Sequence, residues 1–219
     1  MPSPIATTDG AKVATAPFPT SWPITVEAGR SNLNTMSEHG DQIRIRQAGP
    51  SDFPHVADVH FPSWRESYRG VVPSEILDLF SIRQWIDNEY PQRLSRDGWS
   101  MRVAESGGRI VGMGISGPDQ ADPDQIEIDS LYVATDSLRH GVGSLLLADM
   151  LESQPAGDVV TWCAERNFRA RRFYEKNGFR RDGRSFIWTL IPGTLEAPQI
   201  GFRLHRPCRA VRRESIGLG

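Results

Sequence analysis

The stretch Ile126-Glu127-Ile128-Asp129-Ser130-Leu131-Tyr132-Val133, continued beyond a short connection by Leu138-Arg139-His140-Gly141-Val142-Gly143-Ser144, decides how this chain is read. Its first part reads as a strand. Its second part reads as a tight loop in which two glycines, Gly141 and Gly143, open a helix that runs to Glu152 with Val142, Leu145, Leu146 and Met150 facing one way. A helix N-terminus exposes unpaired backbone N–H groups and the positive end of the helix dipole. Glycine lets such a backbone approach an anion closely. The geometry suits a diphosphate, although an ordinary strand–helix turn shows the same spacing.

A second informative segment lies one strand further on. It reads Trp162-Cys163-Ala164-Glu165-Arg166-Asn167, then Ala170 and Phe173-Tyr174-Glu175-Lys176-Asn177-Gly178-Phe179. Asn167 falls at a strand-to-helix junction, where its side chain is placed to cap. Ala170, Phe173 and Tyr174 follow on the same helix face. Gly178 is placed to end the helix with a positive φ.

Together the two segments resemble the GNAT acetyltransferases. The first is similar to that superfamily's acetyl-coenzyme A motif, commonly Gln/Arg-x-x-Gly-x-Gly/Ala. The second is similar to its N-x-x-A-x-x-F-Y-E-K-x-G-F block, with Trp162 five residues before Asn167. One position departs from the pattern: Leu138 stands where Gln or Arg is usual, and Arg139 follows it. The resemblance implies a mixed α/β domain over about 42–206: a twisted β-sheet, helices on both faces, splayed into a V between the strand ending at Val133 and the strand at Val159–Ala164. It also implies an acetyl-coenzyme A site. Leu131, Tyr132 and Val133 would pair through their backbone with the pantetheine arm, Arg139, His140, Gly141, Val142, Gly143 and Ser144 would hold the diphosphate, and Asn167 and Tyr174 would complete the site.

The rest of the chain fits around that centre. Gln42–Arg46 alternates as a first strand, Pro50-Ser51-Asp52 offers a cap for a helix reaching Tyr68, and further helices are expected at 73–79 and 82–94. Met101–Glu105 and Arg109–Ile115 flank Ser106-Gly107-Gly108 as a hairpin. Strands at 125–133, 158–164, 179–190 and 199–205 alternate with helices at 141–152 and 167–177. Met1–Gly40 is rich in Pro, Ser, Thr, Ala and Gly without periodicity, so it reads as a disordered extension. The residues after Arg206, 207–219, form a basic tail.

Composition narrows the function classes. The 219 residues are 38 % hydrophobic and 24 % charged, as in an ordinary globular protein. A formal net charge of −2 argues against a nucleic-acid partner. Two cysteines are too few for a disulfide framework, no apolar run is long enough to span a membrane, and no secretory signal opens the chain. The default compartment is cytoplasmic. The oligomeric state stays open, a homodimer among the options.

The resemblance also assigns chemistry. Tyr174 stands where a family tyrosine hydrogen-bonds the coenzyme sulfur and is proposed as the proton donor to the leaving thiolate. Glu127 stands where many members carry a glutamate, four residues before Leu131, and is the candidate base. Asp129 points to the same strand face and is the alternative, or a contact for a cationic acceptor. Trp64 and Tyr68, at i and i+4 on one helix face, wall the acceptor site or pack on the sheet. His55, His60 and His140 show no metal-ligand spacing, so no metal is expected. Cys163 reads as a small buried hydrophobe. The implied activity is N-acetylation of a primary amine, small molecule or peptide, by direct transfer in a ternary complex. Another acyl group, a hydroxyl acceptor or a non-catalytic acyl-coenzyme A sensor are the rivals. Because nothing before Gly40 is patterned for a core, a chain started at Met36 is expected to keep its melting temperature and turnover, as thermal unfolding and a thiol-release assay would register.

Overall fold

Every residue of the deciding strand is buried, and the sheet is built outward from it. In this computed structural model, which describes residues 42–70, 72–191 and 195–206, the strands are β1 (Arg44–Gln47), β2 (Ser100–Ser106), β3 (Arg109–Pro118), β4 (Ile126–Val133), β5 (Val159–Ala164), β6 (Arg180–Ile191) and β7 (Leu195–Leu204). They form one sheet in the order β1-β2-β3-β4-β5-β7-β6. Only β4 and β5 run parallel; every other neighbouring pair is antiparallel. The expected extension before Gly40 and tail after Arg206 lie outside the described residues.

Helices cover both faces. On one side lies α1 (Phe53–Ser67), followed by α2 (Ser74–Leu77) and by a run that starts as α3 (Ile82–Gln84) and ends as α4 (Tyr90–Leu94). Val56, Ala57, Trp64, Trp85 and Tyr90 pack there with Met101, Met113, Ile115 and Tyr132 from the sheet. On the other side lie α5 (Val142–Ser153) and α6 (Phe168–Lys176), whose Leu146, Leu147, Met150, Phe173 and Tyr174 meet Ile126, Ile128, Leu131 and Val133.

Two irregularities stand between these layers. In β4 the pairing with β3 shifts, since Ile115 opposes Ser130 while Ser116 opposes Ile128, so Asp129 is an extra residue. This bulge moves the apolar face of β4 from 126 and 128 to 131 and 133, and it turns Asp129 and Ser130 together toward the α1 side. The helix expected at 82–94 is interrupted: Trp85–Glu89 is a π turn, closed by the Tyr90 N–H on the Trp85 carbonyl.

Other boundaries move for local reasons. Asp52 does not cap α1. Its carboxylate instead accepts from the Gly49 N–H at 2.8 Å and from both Arg46 Nη atoms at 2.8 Å, tying the start of α1 to β1. These bonds hold the Asp52 carboxyl down at about 2. β3 extends to Pro118 and β7 begins at Leu195, because each has a long neighbour to pair with.

Gly117, opposite Glu127 on β4, leaves the space that the Trp99 indole fills. A methyl group at Gly117 would land within that ring, which cannot step aside as a flexible chain end would. Gly117→Ala is expected to cost about 1–3 kcal/mol of overpacking, read as a melting temperature lower by about 2–4 °C for each kcal/mol.

Candidate functional site

The site begins where two parallel strands part. β4 and β5 pair at Ile126–Val159, Glu127–Val160 and Ile128–Thr161, and there the ladder ends. From Asp129 onward β4 keeps its β3 neighbour on one edge and has no strand partner on the other, while β5 turns to pair with β7 along its whole length. The V implied by the sequence resemblance is therefore present between the expected strands. Leu131, Tyr132 and Val133, all buried, line its open edge.

Beyond the V, the chain reaches α5 through a 3-10 turn at Thr135–Ser137 and two left-handed residues. Gly141, at φ 80°, is the N-cap of α5, and no side chain caps the helix. Val142, Gly143 and Ser144 therefore present first-turn N–H groups with no N-cap side chain to accept from them. Arg139 adopts φ 70°, a conformation that costs a non-glycine residue about 1–2 kcal/mol. A left-handed residue leading into right-handed ones, as Gly141 leads into α5, is a backbone arrangement that can bind an anion. Arg139 and His140 are exposed beside it.

On the β5 side, Asn167 caps α6 by accepting from the Ala170 N–H at 3.0 Å. Tyr174 is fully buried between Phe173, Phe179 and Phe202. Among the described residues its hydroxyl has no hydrogen-bond partner of normal geometry. The neighbouring Thr161 hydroxyl gives its own proton to the Ile128 carbonyl, 2.9 Å away. Burial pushes the Tyr174 pKa well above the ordinary range, so the group keeps its proton. An unsatisfied buried hydroxyl costs about 1–3 kcal/mol.

Glu127 and Asp129 occupy the same face but have different surroundings. Glu127 is 4 % exposed, and its carboxyl makes no hydrogen bond among the described residues. Burial first, then the charges of Asp129 and Asp119, raise its pKa to about 8 against the pull of Arg96 and Arg93. Asp129 is fully buried and already engaged: Arg93 Nε lies 3.3 Å from Oδ1, and the Ser130 hydroxyl donates to Oδ2 at 2.6 Å. Of the two carboxyls, Glu127 is the one with its lone pairs uncommitted.

Trp64 and Tyr68 lie inside the aromatic layer rather than on an open wall. Trp64 is fully buried against Tyr68, Phe80 and Trp85, with ring centroids 4.9–5.4 Å apart, and Tyr68 packs on Trp188 at 5.1 Å. Cys163 is buried, and burial raises its thiol to about 12, which leaves almost no thiolate at neutral pH.

The structure adds residues that the sequence reading passed over. Glu89, Tyr90 and Arg93 line a seam with His60 and Ser130, too narrow to admit water. His60, considered above only as a metal ligand, is a buried neutral imidazole 4.1 Å from the Trp85 ring and 4.4 Å from Tyr132, with Nδ1 3.0 Å from the Tyr90 hydroxyl. Burial and the Arg93 charge hold its pKa well below the ordinary range. Among the described residues no cluster of His, Cys, Asp and Glu is arranged to hold a metal, and no helix is long and apolar enough to cross a membrane.

Comparison with known proteins gives a consistent result. Residues 59–179 match the family model described as the acetyltransferase (GNAT) family. A probable N-acetyltransferase of Mycobacterium tuberculosis is 51 % identical over 165 residues, covering 75 % of this chain and 94 % of the relative. Among solved structures, the PaiA N-acetyltransferase of Thermoplasma acidophilum in complex with coenzyme A aligns with TM-score 0.58 at 18 % identity, over 75 % of this chain and 99 % of that one. Ribosomal-protein-alanine N-acetyltransferase of Brucella melitensis aligns with TM-score 0.57 at 19 % identity, over 74 % and 99 %. With a splayed sheet, an uncapped glycine-opened helix and these likenesses, the chain belongs to the GNAT family of N-acetyltransferases.

Proposed function

We propose that the protein transfers an acetyl group from acetyl-coenzyme A to a primary amine by direct attack in a ternary complex. The observation that carries this reading is the opening between β4 and β5, whose free strand edge lies beside a buried, unpartnered Tyr174 hydroxyl. An extended amide-bearing arm adds to such an edge as a peptide strand does, through Leu131, Tyr132 and Val133. The diphosphate belongs at the N–H groups of Gly141, Val142, Gly143 and Ser144, with Arg139 and His140 beside them. Asn167, held by its cap, borders the arm from the β5 side.

The chemistry needs a deprotonated amine and a proton for the departing thiolate. An alkyl ammonium near pKa 10 is only about 0.1 % neutral at pH 7, so attack is helped by a base. Glu127, raised to about 8, is matched to that task. It takes the ammonium proton, the nitrogen lone pair bonds the carbonyl carbon, and the carbon–sulfur bond breaks. The Tyr174 hydroxyl places its proton at the departing sulfur, and the second nitrogen proton, shed as the amide forms, restores the tyrosine. Asp129 adds negative charge that favours a cationic acceptor, while Trp64 and Tyr68, fully buried in the aromatic layer, support the site from behind rather than wall it. Cys163, with a thiol at about 12, is poorly suited to carry the acetyl group covalently.

Glu127 gives a pH-dependent test. The folded protein holds this proton up to about pH 8, whereas an unfolded glutamate releases it near 4.5. Folding therefore takes up a proton in that window, and stability falls as pH rises through it. Glu127→Gln is expected to lower kcat/KM by about 10²–10⁴-fold and to abolish a limb rising toward about pH 8. It is also expected to raise the melting temperature, more at pH 8 than at pH 5. Equal activity in the two proteins across this range would rule out the base assignment.

Tyr174→Phe separates chemistry from packing. Loss of a contact made mainly in the transition state lowers kcat and kcat/KM together while coenzyme A affinity barely moves. A fall of about 10²-fold, or about 2.7 kcal/mol, is expected, with a melting temperature equal or higher, because the phenyl ring keeps the buried area and the unsatisfied hydroxyl is gone. Full turnover by the phenylalanine variant, with chemistry rate-limiting, would remove Tyr174 from this role.

A further inference from the structure

A buried ion triad joins the two irregular elements. Arg93 in α4 is 4 % exposed; its Nη1 lies 2.5 Å from Glu89 Oε2, and its Nε lies 3.3 Å from Asp129 Oδ1. Glu89 is the last residue of the π turn, and Asp129 is the extra residue of the β4 bulge. The Ser130 hydroxyl holds the second Asp129 oxygen at 2.6 Å. Three charged side chains thus meet in a dry seam, each within a few percent of complete burial.

Stability does not account for such a group. Taking each ion out of water costs several kcal/mol, and replacing a buried ion triad by uncharged side chains of similar volume is often neutral or stabilising. What a buried, hydrogen-bonded guanidinium supplies is fixed geometry, because two different nitrogens of one planar fork hold two carboxylates in set directions. One direction ends at the residue that breaks the β4 ladder. There the bulge interrupts the register with β3, and the β5 ladder has already ended at Ile128. Asp129, the one residue of β4 without a ladder partner, therefore depends on its side-chain contacts for its position.

We infer that Arg93 is a positioning residue for acetyl transfer: through Glu89 and Asp129 it pins the β4 bulge, and so fixes the backbone between the Glu127 carboxyl and the open edge at Leu131. The inference rests on the proposed transfer at that edge. It concerns neither cofactor affinity nor the identity of the amine. A displacement of about 1 Å at a reacting centre can cost about 10²-fold in rate, which sets the scale of the effect.

Two variants of the full chain test it. Arg93→Lys keeps the charge, but one ammonium cannot take the place of two fork nitrogens aimed at different carboxylates. The triple variant Glu89→Gln/Arg93→Met/Asp129→Asn removes all three charges, leaving none uncompensated, and so protects the fold. Both are compared with the unaltered protein by three measurements. These are kcat for thiol release from acetyl-coenzyme A over a panel of amines, the Kd of coenzyme A by calorimetry, and amide hydrogen exchange of Ile128–Leu131.

The expected result is a kcat lower by about 10²-fold and exchange at Asp129 and Ser130 faster by at least about tenfold. Coenzyme A Kd should stay within about threefold, and exchange in α5 should not change. A folded Arg93→Lys protein with unchanged exchange in this segment overturns the pin, as does a kcat within about threefold of the original. If the unaltered protein releases no thiol with any amine, the transfer reading fails by itself. The exchange measurement then still decides whether Arg93 holds the bulge.

Discussion

A buried strand that is paired along only one edge carries backbone N–H and C=O groups that must find partners elsewhere, and nearly everything around the β4–β5 opening can be traced to that requirement. β5 leaves β4 after Ile128 while its other edge stays paired with β7 as far as Ala164. β4 is held instead from its other side, by β3, and from above and below by helices. Glycines in β3 make that close: a methyl group at Gly112 would come within 3.0 Å of Val142 in the first turn of α5, and one at Gly114 would land on Met150. The glycine-opened helix α5 is thus seated on the sheet by the absence of side chains beneath it. The Val133 carbonyl, at the end of the open edge, takes the Ser63 hydroxyl from α1 at 3.2 Å.

The same opening sets the electrostatics. The Trp99 ring, lying in the space that Gly117 vacates, covers the strand beside Glu127 and contributes to its desolvation. A carboxyl held at about 8 is a cost to folding at neutral pH and an advantage to a base that must work there. Asp129, two residues on, shows the opposite solution. It is buried more deeply, yet Arg93 and Ser130 meet its oxygens, and it is left with little to offer as a base. Two carboxyls on one strand face are thereby given different work by their partners, and the spacing of the residues alone could not distinguish them.

Much of the fold was legible because the relevant signals are local. Alternation at 101–115, the Asn167 cap and the glycine-opened helix at 141 each depend on a few neighbouring residues, and each appears where the spacing places it. The splay came from the family resemblance, since no periodicity reports that two strands part. The bulge was available but unread. Isoleucines at 126 and 128 followed by Leu131 and Val133 shift from even to odd positions, which a regular strand buried against one helix layer cannot do. The π turn at Trp85–Glu89 left no comparable trace, because one extra residue in a helix barely disturbs an apolar period over so short a run. Arg93 was invisible for a related reason: its meaning lies in Asp129, thirty-six residues away. Trp64 and Tyr68 were correctly placed on one helix face, but an i, i+4 pair does not say whether that face meets a ligand or a core.

The two faces of β4 carry different obligations, and the bulge allows one strand to meet both. On the α5 side the strand needs Ile126, Ile128, Leu131 and Val133 to close an apolar core beneath that helix. On the α1 side it needs Glu127 near the point where the strands part, with an aromatic and ionic layer to exclude water around it. A strand of strict alternation could satisfy the first demand only by turning Ser130 into that apolar core, or the second only by leaving Leu131 or Val133 on the polar side. Inserting Asp129 breaks the alternation at one place, and burying its carboxylate requires a cation. Arg93 is that cation, and its second partner, Glu89, ends the π turn of the facing helix. The strand's break in register and the helix's break in period are therefore coupled through one guanidinium, so that neither can relax to regular geometry without leaving a buried charge unpaired.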